Sequence, residues 1–152
     1  GTLVSGAGGG GGRLRGAAVA GRADEELEDR SREVQRAVAR ATGQISRDLM
    51  VRAIVVFTES GWSAGMVASS RPQAPVLALS PNERTCRRLN LLWGVVPVRV
   101  DEEADDPEAL HEEARRLARE AGLADEGQYI LRVWGFHIEE RKNVPTMAVL
   151  TV

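Results

Sequence analysis

Seven consecutive residues concentrate the hydroxyl chemistry of this chain: Thr58, Glu59, Ser60, Gly61, Trp62, Ser63 and Ala64. Thr58, Ser60 and Ser63 supply three O–H groups, and Gly61 lets a ligand approach the backbone closely. If a helix starts directly behind them, its first N–H groups lack intrahelical acceptors and point at the same place. Hydroxyls gathered at a helix amino terminus are the donor set that a phosphate monoester requires. The same residue types also cap helices that bind nothing, so the placement of the segment in the fold decides between the two readings. Further on, Arg141 and Lys142 put two cations in a late loop, where they meet either an anion or only water. His111 and His137 stand among charged neighbours without a sequence-evident triad or metal partner and read as surface or capping histidines. Cys86 is the only cysteine, which excludes an internal disulfide and a multi-cysteine metal site and fits a reducing compartment. No catalytic group, metal ligand or bound cofactor is expected in this chain.

The elements that must position the hydroxyl segment can be read on either side of it. From Asp24 onward Val34, Val38, Ala41, Ile45 and Leu49 recur three or four places apart, as on one face of a helix, and the acidic start DEELED suits the positive end of its dipole. Residues 53–57, AIVVF, form a short unbroken apolar run rich in β-branched side chains, the pattern of a strand covered on both faces. Residues 75–79 repeat that design. Residues 94–100 give a third strand, in which Pro97 points to an interruption or a sheet edge. Ser80-Pro81-Asn82-Glu83 has the form of a capping box with proline at the first helical position. Asp106-Pro107 opens another helix, with Leu110, Ala114, Leu117, Ala118 and Ala121 as its buried stripe and Gly122 at its end. A fourth strand follows at residues 129–134 and a fifth at 146–152.

Strands alternating with helices imply parallel crossover units and hence an α/β fold: a three-layer helix–sheet–helix sandwich of about five strands. The last strand should run antiparallel, because only a short connection precedes it. In such a sheet ligands bind beyond the carboxy ends of the strands, which is where residues 58–64 fall, directly after the first strand.

The first 23 residues contain a five-glycine run and few large apolar side chains, and so read as a mobile tail or linker ahead of one domain at 24–152. A phosphate loop is the other use of such glycines, but no apolar strand precedes the run and no Lys-Ser/Thr closes it. A net charge of −2 provides no basic field for nucleic acid or an anionic membrane. With no apolar run near the ~20 residues that span a bilayer and no signal peptide, a cytoplasmic location is expected.

The segment AIVVFTESGWSA, with RPQAPVLALSPNERTCRRLNLLWGVVPV after it, resembles the carboxy-terminal domain of pyruvate kinase. That family typically reads strand, Thr/Ser-x-Ser-Gly-x-Thr/Ser-Ala, helix, Arg-Pro-x-x-Pro, strand, Thr-Pro-Asn-Glu-x-x-x-Arg and Leu-x-x-x-Trp-Gly-Val, and the likeness runs from about Ala37 to Val152. The resemblance implies the sheet architecture derived above and a part in homotetramer or homodimer assembly. It also implies a sugar-phosphate activator held by the hydroxyl-rich loop, here Thr58, Glu59, Ser60, Gly61, Trp62 and Ser63, under a late glycine loop that retains Gly135. Two departures stand out. Glu59 puts a carboxylate where like charge opposes a phosphate, and Glu139 and Glu140, followed by Val144-Pro145, replace flexible glycines and a Thr-Asn pair. The effector loop is thus expected to be degenerate.

In that family phosphoryl transfer, with magnesium and potassium, takes place on a large upstream barrel, and the glycine-rich tail resembles none of it. The resemblance therefore implies a regulatory and assembly domain that is inactive by itself. A stand-alone protein that binds or converts a small phosphorylated metabolite, and a pure oligomerisation module with an empty loop, are the competing readings.

Overall fold

The computed structural model describes residues 2–136 and 144–152, with side chains from residue 21 onward. The chain divides into two compact units, Gly1–Glu33 and Val34–Val152. The elements in chain order are α1 (Thr2–Asp48), β1 (Ile54–Phe57), α2 (Trp62–Ser69), β2 (Val76–Ser80), α3 (Glu83–Leu89), β3 (Val95–Arg99), α4 (Pro107–Glu120), β4 (Tyr129–Trp134) and β5 (Thr146–Thr151).

Helix α1 begins upstream of Asp24, where the sequence reading started it. Glycine lowers helix propensity by about 1 kcal/mol against alanine, yet it keeps its N–H and clashes with nothing, so it does not stop a helix as proline does. The buried face of α1 also differs from the expected stripe. Val34 and Leu49 are solvent-exposed, as is Ala41, whereas Gln35, Ala39, Thr42 and Ser46 are buried, flanked by half-buried Val38 and Ile45. The reason is close approach. A Cβ on Gly43 would come within 3.0 Å of Ser70 Oγ and 3.2 Å of the Ser70 carbonyl oxygen, so this helix lies on the end of α2 through its small side chains rather than its large ones. The Thr42 hydroxyl donates to the Val38 carbonyl at 2.8 Å and touches Met147 Sδ at 3.5 Å.

The sheet has the order β3-β2-β1-β4-β5. Strands β1, β2, β3 and β4 run parallel, and β5 returns antiparallel to β4 with Tyr129 opposite Thr151 and Trp134 opposite Thr146. Pro97 lies in β3, an edge strand, where a missing N–H costs no ladder bond on the open side. One face packs Ile54, Val56, Val76, Ala78, Leu131 and Val133 against Ala64 and Val67 of α2, Leu89 of α3 and the α1 residues Val38 and Ile45. The other packs Val55, Leu77, Leu79, Ile130 and Leu150 against Ala114, Leu117 and Ala118 of α4. The result is the expected three-layer α/β sandwich with the central strands buried on both sides.

Helix α4 starts as the sequence implies, with Asp106 Oδ2 accepting from the Ala109 N–H at 3.1 Å and proline in its first turn. Helix α3 does not. Its cap is Asn82, whose Oδ1 accepts from the N–H groups of Arg84 at 3.0 Å and Thr85 at 3.2 Å. Ser80 is still in β2, fully buried, and its hydroxyl accepts from the Asn82 N–H at 3.2 Å. The two-residue shift follows from β2 running one residue longer than the apolar run, which carries Ser80 into the ladder opposite Arg99. Among the described residues no helix is long and apolar enough to cross a membrane.

Candidate functional site

The strand order reverses between β1 and β4: from β1 the chain steps outward to β2 and β3, then α4 carries it back to β4 on the other side of β1. Loops leaving β1 and β4 at their carboxy ends diverge there and leave the crevice in which open α/β sheets bind ligands. The first loop is residues 58–61 and the second begins at Gly135, so the fold sets the hydroxyl segment beside Gly135 and Phe136.

The hydroxyls of the first loop do different jobs. Thr58 is buried, and its Oγ1 accepts from the Gly61 N–H at 2.8 Å, closing the loop on itself. Gly61 has φ +94°, a left-handed conformation that side chains other than glycine adopt at a cost, and it serves as the N-cap of α2 with no side-chain cap of its own. Ser63 is also buried and donates to the Phe136 carbonyl at 3.1 Å, which pins the β1 loop to the β4 loop across the crevice. Ser60 and Glu59 are exposed, and Ser60 Oγ accepts from the Trp62 N–H at 3.3 Å. The Ser63 and Ala64 N–H groups belong to the first turn, ahead of the first helical bond from Gly65 N–H to the Gly61 carbonyl at 2.9 Å. Trp62, the first residue of α2, is 41% exposed.

The sequence reading missed the brace behind this loop. The Thr85 hydroxyl donates to the Glu59 carbonyl at 2.8 Å, and Arg88 Nη2 donates to the Ser60 carbonyl at 3.1 Å. Both come from one face of α3, three residues apart, and that i, i+3 spacing was the available signal. Arg88 sets a guanidinium beside the loop that also carries the Glu59 carboxylate. Gly135, with φ +81°, runs so close to the β5 entry that a Cβ there would lie 1.9 Å from the Val144 carbonyl oxygen.

Elsewhere, His111 is half-buried rather than on an open charged face: its ring meets Trp134 edge-on with centroids 5.9 Å apart. Its spacing of three and seven residues from buried Ala114 and Ala118 put it beside the inner face of α4, which the run of charges around it disguised. His137, Glu139, Glu140, Arg141 and Lys142 lie outside the described residues. Among the described residues no cluster of histidine, cysteine and carboxylates has the form of a metal site.

Comparison with known proteins adds the lineage. A family model described as the pyruvate kinase alpha/beta domain matches residues 36–150. A pyruvate kinase of Agrobacterium vitis is 34% identical over 116 residues, covering 76% of this chain and 24% of that protein. One of Methylorubrum extorquens is 35% identical over 117 residues, with 76% and 24% covered. A crystal structure of a pyruvate kinase from Cryptosporidium parvum shares the fold with a TM-score of 0.66 at 23% identity, over 78% of this chain and 22% of that one. The chain spans about a quarter of the length of the curated relatives it matches.

Proposed function

The chain belongs to the pyruvate kinase family through its alpha/beta domain, and from that premise we propose that it is a regulatory and assembly domain whose β1–α2 loop is a weak site for a sugar-phosphate effector. The complete enzymes of the family transfer a phosphoryl group from phosphoenolpyruvate to ADP, and in this reading the domain tunes that reaction and does not perform it. The observation that carries the reading is the position of the loop: the first-turn N–H groups of Ser63 and Ala64, the exposed Ser60 hydroxyl and the Arg88 guanidinium converge at the crevice where the strand order reverses. Ser63 shapes the cradle and does not donate into it, because its proton is on the Phe136 carbonyl, and Thr58 is buried with its oxygen on the Gly61 N–H. Glu59, exposed beside them, opposes an incoming phosphate, which is why the site is weak. We place the protein in the cytoplasm with its metabolite.

Titration calorimetry with a sugar bisphosphate tests this. Glu59→Lys removes the opposing charge and should tighten binding, and Ser60→Ala in that background should weaken it by about 1.5–3 kcal/mol, the worth of a hydrogen bond to a charged group. If Glu59→Lys leaves binding undetectable, the loop is only the start of a helix, and the oligomerisation module becomes the better reading.

A further inference from the structure

Among the described residues Arg132 is the largest fully buried side chain, 1% exposed. It lies in β4 between Val55 of β1 and Ala148 of β5. Strand alternation turns it to the α4 face, the side on which Ile130 packs. Its Nη1 donates to the Val133 carbonyl, its Nη2 donates to Glu103 Oε1 at 3.2 Å, and its guanidinium stands 5.8 Å from the Trp134 ring. The His111 ring meets the same Trp134 ring edge-on, with centroids 5.9 Å apart. Burial pushes the Arg132 pKa down, while Glu103 nearby and Glu113 farther off oppose the shift.

Glu103 comes from the connection at residues 100–106, between β3 at the sheet edge and α4. To reach β4 it crosses the ends of β2 and β1, which lie between. The connection carries five carboxylates in six residues, Asp101, Glu102, Glu103, Asp105 and Asp106, whose mutual repulsion disfavours a compact path. Asp106 is fixed by capping α4, and Glu103 is the member held by a cation at the sheet.

The pair is unequal. Arg132 is buried, but the Glu103 side chain is 40% exposed. An apolar side chain of similar volume would fill the Arg132 position at no desolvation cost, so packing alone does not account for a guanidinium there. Its carbonyl and aromatic neighbours belong to β4 itself and stay in place, whereas its anionic partner is on a loop and half in water. An oxyanion from solution can take the place of Glu103 one for one, leaving the Arg132 environment otherwise unchanged.

We propose that Arg132, Trp134 and His111 form an oxyanion site that Glu103 occupies from within, and that a phosphate or carboxylate ligand displaces Glu103 and frees the strap at residues 100–106. The site lies on the α4 face, across the sheet from the β1–α2 loop, and stands independently of the effector reading above.

The test uses inorganic phosphate and acetate, separately, as probes in calorimetric titration of the whole chain. Glu103→Gln keeps the side chain's shape but removes the competing charge, and should tighten at least one probe tenfold or more. Glu102→Gln, which changes net charge equally one residue away, should leave both affinities as in the parent, and adding Ser60→Ala to Glu103→Gln should leave the affinities of Glu103→Gln unchanged. Arg132→Met in the Glu103→Gln background should abolish the gain. Amide exchange at residues 101–105 should quicken in Glu103→Gln, and in the parent when the tighter-binding probe is added. The proposal is overturned if Glu103→Gln and Glu102→Gln bind the probes alike, or if exchange in the strap is the same in Glu103→Gln and the parent. Both results are readable even if Arg132→Met does not fold.

Discussion

Replacing Gly135 by alanine should damage this domain more than any other single methyl group added at a described glycine. The residue has φ +81°, where an alanine costs about 1–2 kcal/mol. Its new Cβ would lie 1.9 Å from the Val144 carbonyl oxygen and 2.7 Å from the Val144 carbonyl carbon, against an ordinary contact of 3.4–4 Å. These are backbone atoms and cannot rotate away. Val144 would have to retreat, and it is held there by its own N–H on the Gly135 carbonyl at 3.0 Å and by the Thr146 hydroxyl on its carbonyl at 2.8 Å. Losing these two bonds adds about 1–3 kcal/mol, so the total is about 2–5 kcal/mol, a large part of a domain's usual stability. Gly122 provides the control: φ is +70° and nothing lies within 4 Å of a built Cβ, so Gly122→Ala carries only the conformational cost. Urea denaturation of the two variants and the parent measures the difference, with unfolding midpoints compared at equal slope. If Gly135→Ala loses no more stability than Gly122→Ala, the close approach of the β4 exit to the β5 entry is wrong.

Two further outcomes follow from packing. Ser46 Oγ is buried on α1 without a hydrogen-bond partner, so Ser46→Ala should raise stability by about 1 kcal/mol in the same urea assay, through relief of an unpaired hydroxyl and better helix propensity; a loss would mean that the hydroxyl is satisfied in solution. Trp93 is 97% exposed and Leu91 86%, beside a groove of about 770 Å³ between the end of α2 and the starts of β2 and β3. Sedimentation should therefore show self-association at tens of micromolar that Trp93→Ser weakens tenfold or more, and a strictly monomeric parent would refute it.

What the sequence made legible was whatever depends on large apolar side chains. Strand β1 is an unbroken run of such residues, and β2 and β4 are apolar apart from Ser80 and Arg132. The face of α1 was misjudged for the same reason: Gln35, Ala39, Thr42 and Ser46 are small or polar, and only the three-dimensional fact that Gly43 lies against Ser70 makes theirs the inner side. The hydroxyl loop was located correctly because its position after β1 follows from topology. The directions of its hydroxyls did not follow, since Ser63 spends its proton on Phe136, 73 residues away.

Arg132 shows where such reading stops, and why. In the run Tyr-Ile-Leu-Arg-Val-Trp a lone arginine reads as an outward-facing residue, yet α4 covers that side of the strand, and the counter-charge comes from a loop 29 residues earlier. Nothing local marks the pair. Once the sheet is assembled, however, three consecutive residues tie it to the hydroxyl loop: Trp134 touches the Arg132 group on the α4 face, and Phe136 holds Ser63 on the opposite face. Between them Gly135 runs against the Val144 backbone, whose N–H it binds through its carbonyl at 3.0 Å. Trp134 and Phe136 are thus two residues apart, and among the described residues the Gly135–Val144 contact is the one joint between them. The steric fit that makes Gly135→Ala costly is the same one that joins the two faces of the sheet.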